Sequence, residues 1–188
     1  MSAEIILVAG LGRCGTSLAL QMLHAGGIAC VGTTPSYEDA TIDGFRRTDP
    51  QAWAACSAGK AVKLLDPHRS PPPLGPRYRT LWLFRDWRDQ ARSALKFIGA
   101  SQDRASRKRM EHALKADTDK AVGALWRVGA SPAQVIPFDC LLLRPRQTAE
   151  LMARAIGREI NVDRAASVVI DRSPRCYPGL LELGMMAA

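Results

Sequence analysis

The chain has 188 residues, 47% hydrophobic and 23% charged, and a formal net charge of +8. That balance describes one globular domain with a core of its own, and no apolar run approaches the roughly 18 residues a membrane span requires. Nucleic acid is a poor fit, since only 6% of residues are aromatic and no basic stretch is interleaved with stacking residues; the positive field suits a polyanionic small ligand instead.

Ile5-Ile6-Leu7-Val8-Ala9 predicts a strand over 4–9, which breaks into Gly10-Leu11-Gly12-Arg13-Cys14-Gly15-Thr16-Ser17. A helix follows over 15–25, stopped by Gly26-Gly27. This is the layout of a phosphate cradle: glycines let backbone N–H groups turn inward, and the next helix offers its positive N-terminal end to an anion. The spacing fits G-x-x-x-x-G-K-[ST], except that Thr16 stands in the lysine position. A nucleoside-triphosphate enzyme needs that lysine on its β- and γ-phosphates, so the loop is expected to hold a different phosphoanion.

Residues 28–50 carry no firm pattern beyond a short strand over 28–31. Asp49-Pro50 opens a short helix through Trp53 and Cys56. A second strand over 61–65, a proline-rich loop over 66–76 and a third strand over 79–84 follow. Beyond Arg85, the residues Trp87, Ala91, Ala94, Leu95 and Ile98 recur at helical spacing, with Asp86, Asp89, Ser93 and Lys96 off that stripe and Gly99 at its end. A long helix is expected over 101–128, packing through Met110, Leu114, Ala121, Leu125 and Val128. A short strand over 134–138 precedes a helix from Pro145 to Gly157. Asp163 caps a last helix through Ile170, and the tail has no pattern. The alternation predicts an α/β fold: a three-layer, P-loop-type parallel sheet flanked by helices, in a single domain over 1–188.

Cys14, Cys30, Cys56, Cys140 and Cys176 are scattered, odd in number and without C-x-x-C spacing, so they read as free thiols in a reducing compartment. With Glu4 and no basic leader at the start, the expectation is a cytoplasmic protein without signal peptide or anchor.

The glycine loop, followed downstream by the strand Thr80-Leu81-Trp82-Leu83-Phe84 and then Arg85-Asp86-Trp87-Arg88-Asp89-Gln90-Ala91-Arg92-Ser93, resembles the sulfotransferases that use 3′-phosphoadenosine 5′-phosphosulfate (PAPS). Two further segments are similar to that family. Lys60-Ala61-Val62-Lys63-Leu64-Leu65-Asp66-Pro67-His68 matches its base-bearing strand and loop. Phe138-Asp139-Cys140-Leu141-Leu142-Leu143-Arg144-Pro145 matches its late strand, loop and helix.

The resemblance covers roughly residues 4–160 and implies a division of roles. Gly12, Arg13, Cys14, Gly15, Thr16 and Ser17 would hold the 5′-phosphosulfate. Arg85 and Ser93, eight positions apart, would hold the 3′-phosphate. Arg13 lies where the family carries a lysine or arginine beside the sulfuryl group, stabilising charge that grows on the bridging oxygen. His68 is the implied general base, with Asp66 beside it and Glu38 or Asp39 as acidic alternatives. No metal is implied, and the acceptor is a small molecule or glycan bearing a hydroxyl or amine.

Cys14 reads as a loop filler with no partner base, although a helix N-terminus can lower a thiol pKa. His24 reads as structural and His112 as exposed. Arg104, Arg107, Lys108 and Arg109 form either a solvated helix face or an attraction for an anionic acceptor. The chain departs from the family in lacking a C-terminal R-K-G element for further 3′-phosphate contacts, for which Arg172 or Arg175 are the available substitutes. Two other readings stay open. One is a P-loop kinase or nucleotide hydrolase, favoured by Asp86 near a magnesium position and opposed by the missing lysine. The other is a non-catalytic protein that binds 3′-phosphoadenosine nucleotides or a partner protein.

Overall fold

Ile5–Gly10 (β1) is buried at every position, as a strand covered on both faces must be. It lies inside a four-stranded parallel sheet of order β2-β1-β3-β4, with Ala61–Leu65 (β2), Tyr78–Phe84 (β3) and Pro132–Pro137 (β4). The computed structural model describes residues 4–170; Arg172, Arg175 and Cys176 lie outside them. The helices are Thr16–Ala25 (α1), Ala40–Thr48 (α2), Pro50–Ser57 (α3), Trp87–Phe97 (α4), Arg104–Arg127 (α5), Phe138–Leu143 (α6), Pro145–Ile156 (α7) and Val162–Ser167 (α8). None of these helices is long and apolar enough to cross a membrane.

Alternation along the strands sends side chains to two cores. Ile6, Val8, Leu81 and Leu83 meet Leu18 and Met22 of α1, Leu141 of α6 and Met152 of α7. On the other face Ile5, Leu7, Ala9, Val62, Leu64 and Trp82 meet Trp53 of α3, Ala91 of α4 and Leu114, Ala121 and Leu125 of α5. The result is the expected three-layer α/β arrangement. Because Gly10 pairs with both Leu65 and Leu83, the loops that leave β1, β2 and β3 emerge side by side. The chain runs from β1 to β2 on one flank and then crosses to β3 on the other. A crevice at such a reversal, outside the carboxyl ends of the strands, is where ligands bind in open α/β sheets.

Several local expectations need correction. The strand expected over 28–31 is only an isolated bridge from Cys30 to Ala61, because Gly32 (φ 75) turns the chain away at once. Helix α2 went unread, since it has no buried residue to set a period and is announced chiefly by the Asp39 cap on Ile42 N. Phe138 opens α6 rather than closing β4. The last helix is capped by Asn161, not Asp163, and stops at Ser167. In α4 the buried residues are Gln90, Ala91, Ser93 and Leu95, while Ile98 is 63% exposed. The helix is therefore rotated from the expected stripe, and its polar Gln90 and Ser93 face inward.

Candidate functional site

Two glycines of the loop between β1 and α1, Gly10 and Gly15, leave no room for a side chain. A Cβ at Gly10 would press on Cys14 Sγ and lie 2.9 Å from the Leu83 carbonyl oxygen. Gly15 holds φ 101 as the N-cap of α1, and a Cβ there would lie 2.6 Å from the Phe138 ring. No side chain caps α1, so its first-turn N–H groups keep their capacity for an anion. Two side chains tie the loop down from outside. Gln90, 3% exposed, donates Nε2–H to the Gly12 carbonyl at 2.8 Å. Asp66 at the end of β2 accepts from Gly12 N at 3.4 Å.

Charged and hydroxyl groups then gather at two places on the loop. On the α4 side, Arg13 donates from Nε to Ser93 Oγ at 3.3 Å, and Arg85 donates from Nη1 to the Arg13 carbonyl at 3.3 Å. Both Arg85 and Ser93 are sequestered, Arg85 at 8% exposure and Ser93 at 2%. Each guanidinium lies on a ring, Arg13 at 4.7 Å from the Phe97 centroid and Arg85 at 4.4 Å from that of Phe138, contacts that are both electrostatic and apolar. On the α1 side, Lys63 of β2 donates to Ser17 Oγ and to the Ser36 carbonyl, each at 3.0 Å, and pairs with Glu38 at 2.5 Å.

The structure thus draws Arg13, Arg85 and Ser93 into one group and Ser17 and Glu38 into another, with Gly12, Gly15 and Thr16 in the loop between. His68 faces α5, its Nε2 3.6 Å from Asp117 Oδ2 and 3.3 Å from the Arg69 Nε that donates to it. Asp39 is occupied as the cap of α2. Cys14 is 1% exposed, and burial pushes its thiol up to about 12, against the lowering expected of a helix N-terminus. Asp86 caps α4, accepting from Arg88 N at 3.0 Å and Asp89 N at 3.3 Å. His24 packs against Tyr37 and His112 is exposed. Arg104, Lys108 and Arg109 are exposed on α5.

Lys63 had no role in the sequence reading. Its signal was available, as the one charge inside the apolar run Ala61-Val62-Lys63-Leu64-Leu65. Register sets it opposite Val8, whose side chain packs in the core on the α1 side of the sheet. Gln90 was missed because an amide on a helix has no signature until the helix's rotation is known.

No protein-family model matches the chain, and no curated protein matches it either. Solved structures do share its fold. One is retinol dehydratase in complex with androsterone and the inactive cofactor PAP, 15% identical with a TM-score of 0.53; the match covers 86% of this chain and 63% of that one, so this chain spans under two thirds of its length. Another is the sulfotransferase domain from the curacin biosynthetic pathway, 13% identical with a TM-score of 0.54, covering 96% of this chain and 86% of that one.

Proposed function

We propose that the protein is a sulfotransferase that moves a sulfuryl group from PAPS to a hydroxyl or amine of a small-molecule or glycan acceptor. One observation carries this reading. Arg85 and Ser93, singled out for a 3′-phosphate, are buried against the loop singled out for a 5′-phosphosulfate, with Arg85 bonded to the Arg13 carbonyl and Ser93 to the Arg13 guanidinium. The residues fit the nucleotide: an uncapped helix N-terminus faces one end, and a buried arginine with a buried hydroxyl serves the other. When bound, PAPS supplies an activated sulfuryl group on a phosphate leaving group.

The chain's own groups do the rest. The first-turn N–H groups of α1, with Thr16 and Ser17, bind the phosphosulfate. Lys63 Nζ, held on Ser17 Oγ, sets a positive charge where negative charge develops. The general base takes the acceptor proton at a carboxylate or imidazole. Glu38 is brought to the Ser17 end of the loop by its contact with Lys63, and His68 and Asp66 are the other candidates. The P-loop kinase reading loses its support in Asp86, whose carboxylate is engaged as a helix cap. Cysteines without disulfide partners among the described residues accord with a cytoplasmic setting.

Ligand choice tests the reading. Adenosine 3′,5′-bisphosphate is expected to raise the melting temperature more than ATP with magnesium, since ATP lacks the 3′-phosphate. Stronger, magnesium-dependent stabilisation by ATP would put a P-loop kinase or hydrolase first. Tight bisphosphate binding without transfer from sulfur-labelled PAPS to any acceptor in a broad screen would identify a nucleotide-binding protein instead.

A further inference from the structure

We propose that Arg13 serves the 3′-phosphate end of the site rather than its sulfuryl end, so that a pair of arginines, Arg13 and Arg85, together with Ser93 selects nucleotides bearing a 3′-phosphate. The inference rests on the PAPS reading above and departs from the role the loop position implied for Arg13.

Four observations lead to it. Arg13 Nε donates to Ser93 Oγ at 3.3 Å, so the guanidinium has crossed from its own loop to α4. Its backbone stands at φ 71, a left-handed conformation that side chains other than glycine rarely adopt. Arg85 stabilises that turn from the same side by donating to the Arg13 carbonyl. The Phe97 and Phe138 rings lie against the Arg13 and Arg85 guanidiniums respectively, at 4.7 and 4.4 Å. The opposite end of the loop has a cation of its own, since Lys63 is bonded to Ser17 and its side chain is only 9% exposed.

Chemistry gives the division a purpose. A phosphate monoester is close to dianionic at neutral pH and is recognised best by planar, forked donors, whereas a compact ammonium acts as a point charge. Two guanidiniums on the 3′-phosphate and one ammonium beside the phosphosulfate match each group to its partner. The arrangement also favours a nucleotide with a 3′-phosphate, because forked donors match that monoester and not a bare ribose hydroxyl.

Calorimetric titration of wild type, Arg13→Gly and Lys63→Met with adenosine 3′,5′-bisphosphate and with adenosine 5′-monophosphate tests the assignment. Glycine is chosen because it adopts the left-handed turn without strain. Arg13→Gly is expected to lose about 10- to 100-fold in affinity for the bisphosphate and little for the monophosphate, whereas Lys63→Met loses both by a similar factor. Retained monophosphate binding shows that the variant is folded; if it is not, Arg13→Lys, which keeps the charge but not the fork, is judged by the same ratio of the two affinities. Equal losses for both nucleotides, or no loss for either, would overturn the proposal and leave the PAPS reading standing. A wild-type protein that does not prefer the bisphosphate would overturn both.

Discussion

In Lys63→Met the aliphatic stem keeps its packing in β2 while the ammonium disappears, and with it the hydrogen bonds to Ser17 Oγ and the Ser36 carbonyl at 3.0 Å each. Hydrogen bonds from a charged donor contribute about 1.5–3 kcal/mol apiece. The ion pair to Glu38 adds under about 1 kcal/mol, because the Glu38 side chain is 54% exposed. Against these stands the cost of holding an ammonium at 9% side-chain exposure, several kcal/mol per buried ion. The two sides nearly cancel, leaving a net loss of about 1–2 kcal/mol, or a fall in melting temperature of about 3–6 °C for a domain of this size. Affinity for the anion has no such compensation. Losing a charge-assisted contact to the phosphosulfate end should weaken adenosine 3′,5′-bisphosphate binding by about 10- to 100-fold. Differential scanning calorimetry and titration calorimetry on the same preparations separate the two quantities. An affinity within about twofold of wild type, whatever the melting temperature, would refute the placing of Lys63 at the anion.

Glu38→Gln is expected to lower turnover by roughly 10²–10⁴-fold with bisphosphate affinity close to wild type, and His68→Ala by much less; the reverse order in a sulfur-labelled PAPS assay would return the base to His68. Asp86→Ala should cost about 1 kcal/mol through the lost cap of α4 and leave nucleotide binding independent of magnesium; magnesium-dependent binding abolished by this variant would revive the phosphotransfer reading. The Cys14 thiol is raised by burial from 9.0 to about 12, so its contribution to stability is intact below about pH 9 and is lost as pH rises toward 12. Cys14→Ala should therefore flatten the alkaline decline in melting temperature, and iodoacetamide at about pH 8 should label Cys14 only on unfolding. Rapid labelling in the folded protein would contradict the buried, neutral thiol.

The amino-acid order alone determined those parts of the protein that depend on near neighbours. A wholly apolar hexad followed at once by closely spaced glycines can be little else than a buried strand turning into a helix, and β1, the loop and α1 formed as expected. Pro145 and Gly157 bracketed α7 correctly because first-turn prolines and left-handed glycines act within one turn of chain. Arg85 and Ser93 also lie close together in the chain, one between β3 and the Asp86 cap of α4 and the other within α4, and each bonds to Arg13. What only the tertiary structure decided is which long-range neighbours meet. Whether Ser93 faced solvent or the loop depended on the rotation of α4, set by packing against the sheet and α5 rather than by its own weak stripe. Lys63 reached Ser17 because parallel register sets β2 beside β1, a relation between residues 46 positions apart that no local period encodes. Arg13 turned to α4, and His68 turned to Asp117, because side-chain direction in a loop follows from the partners that the sheet brings within reach.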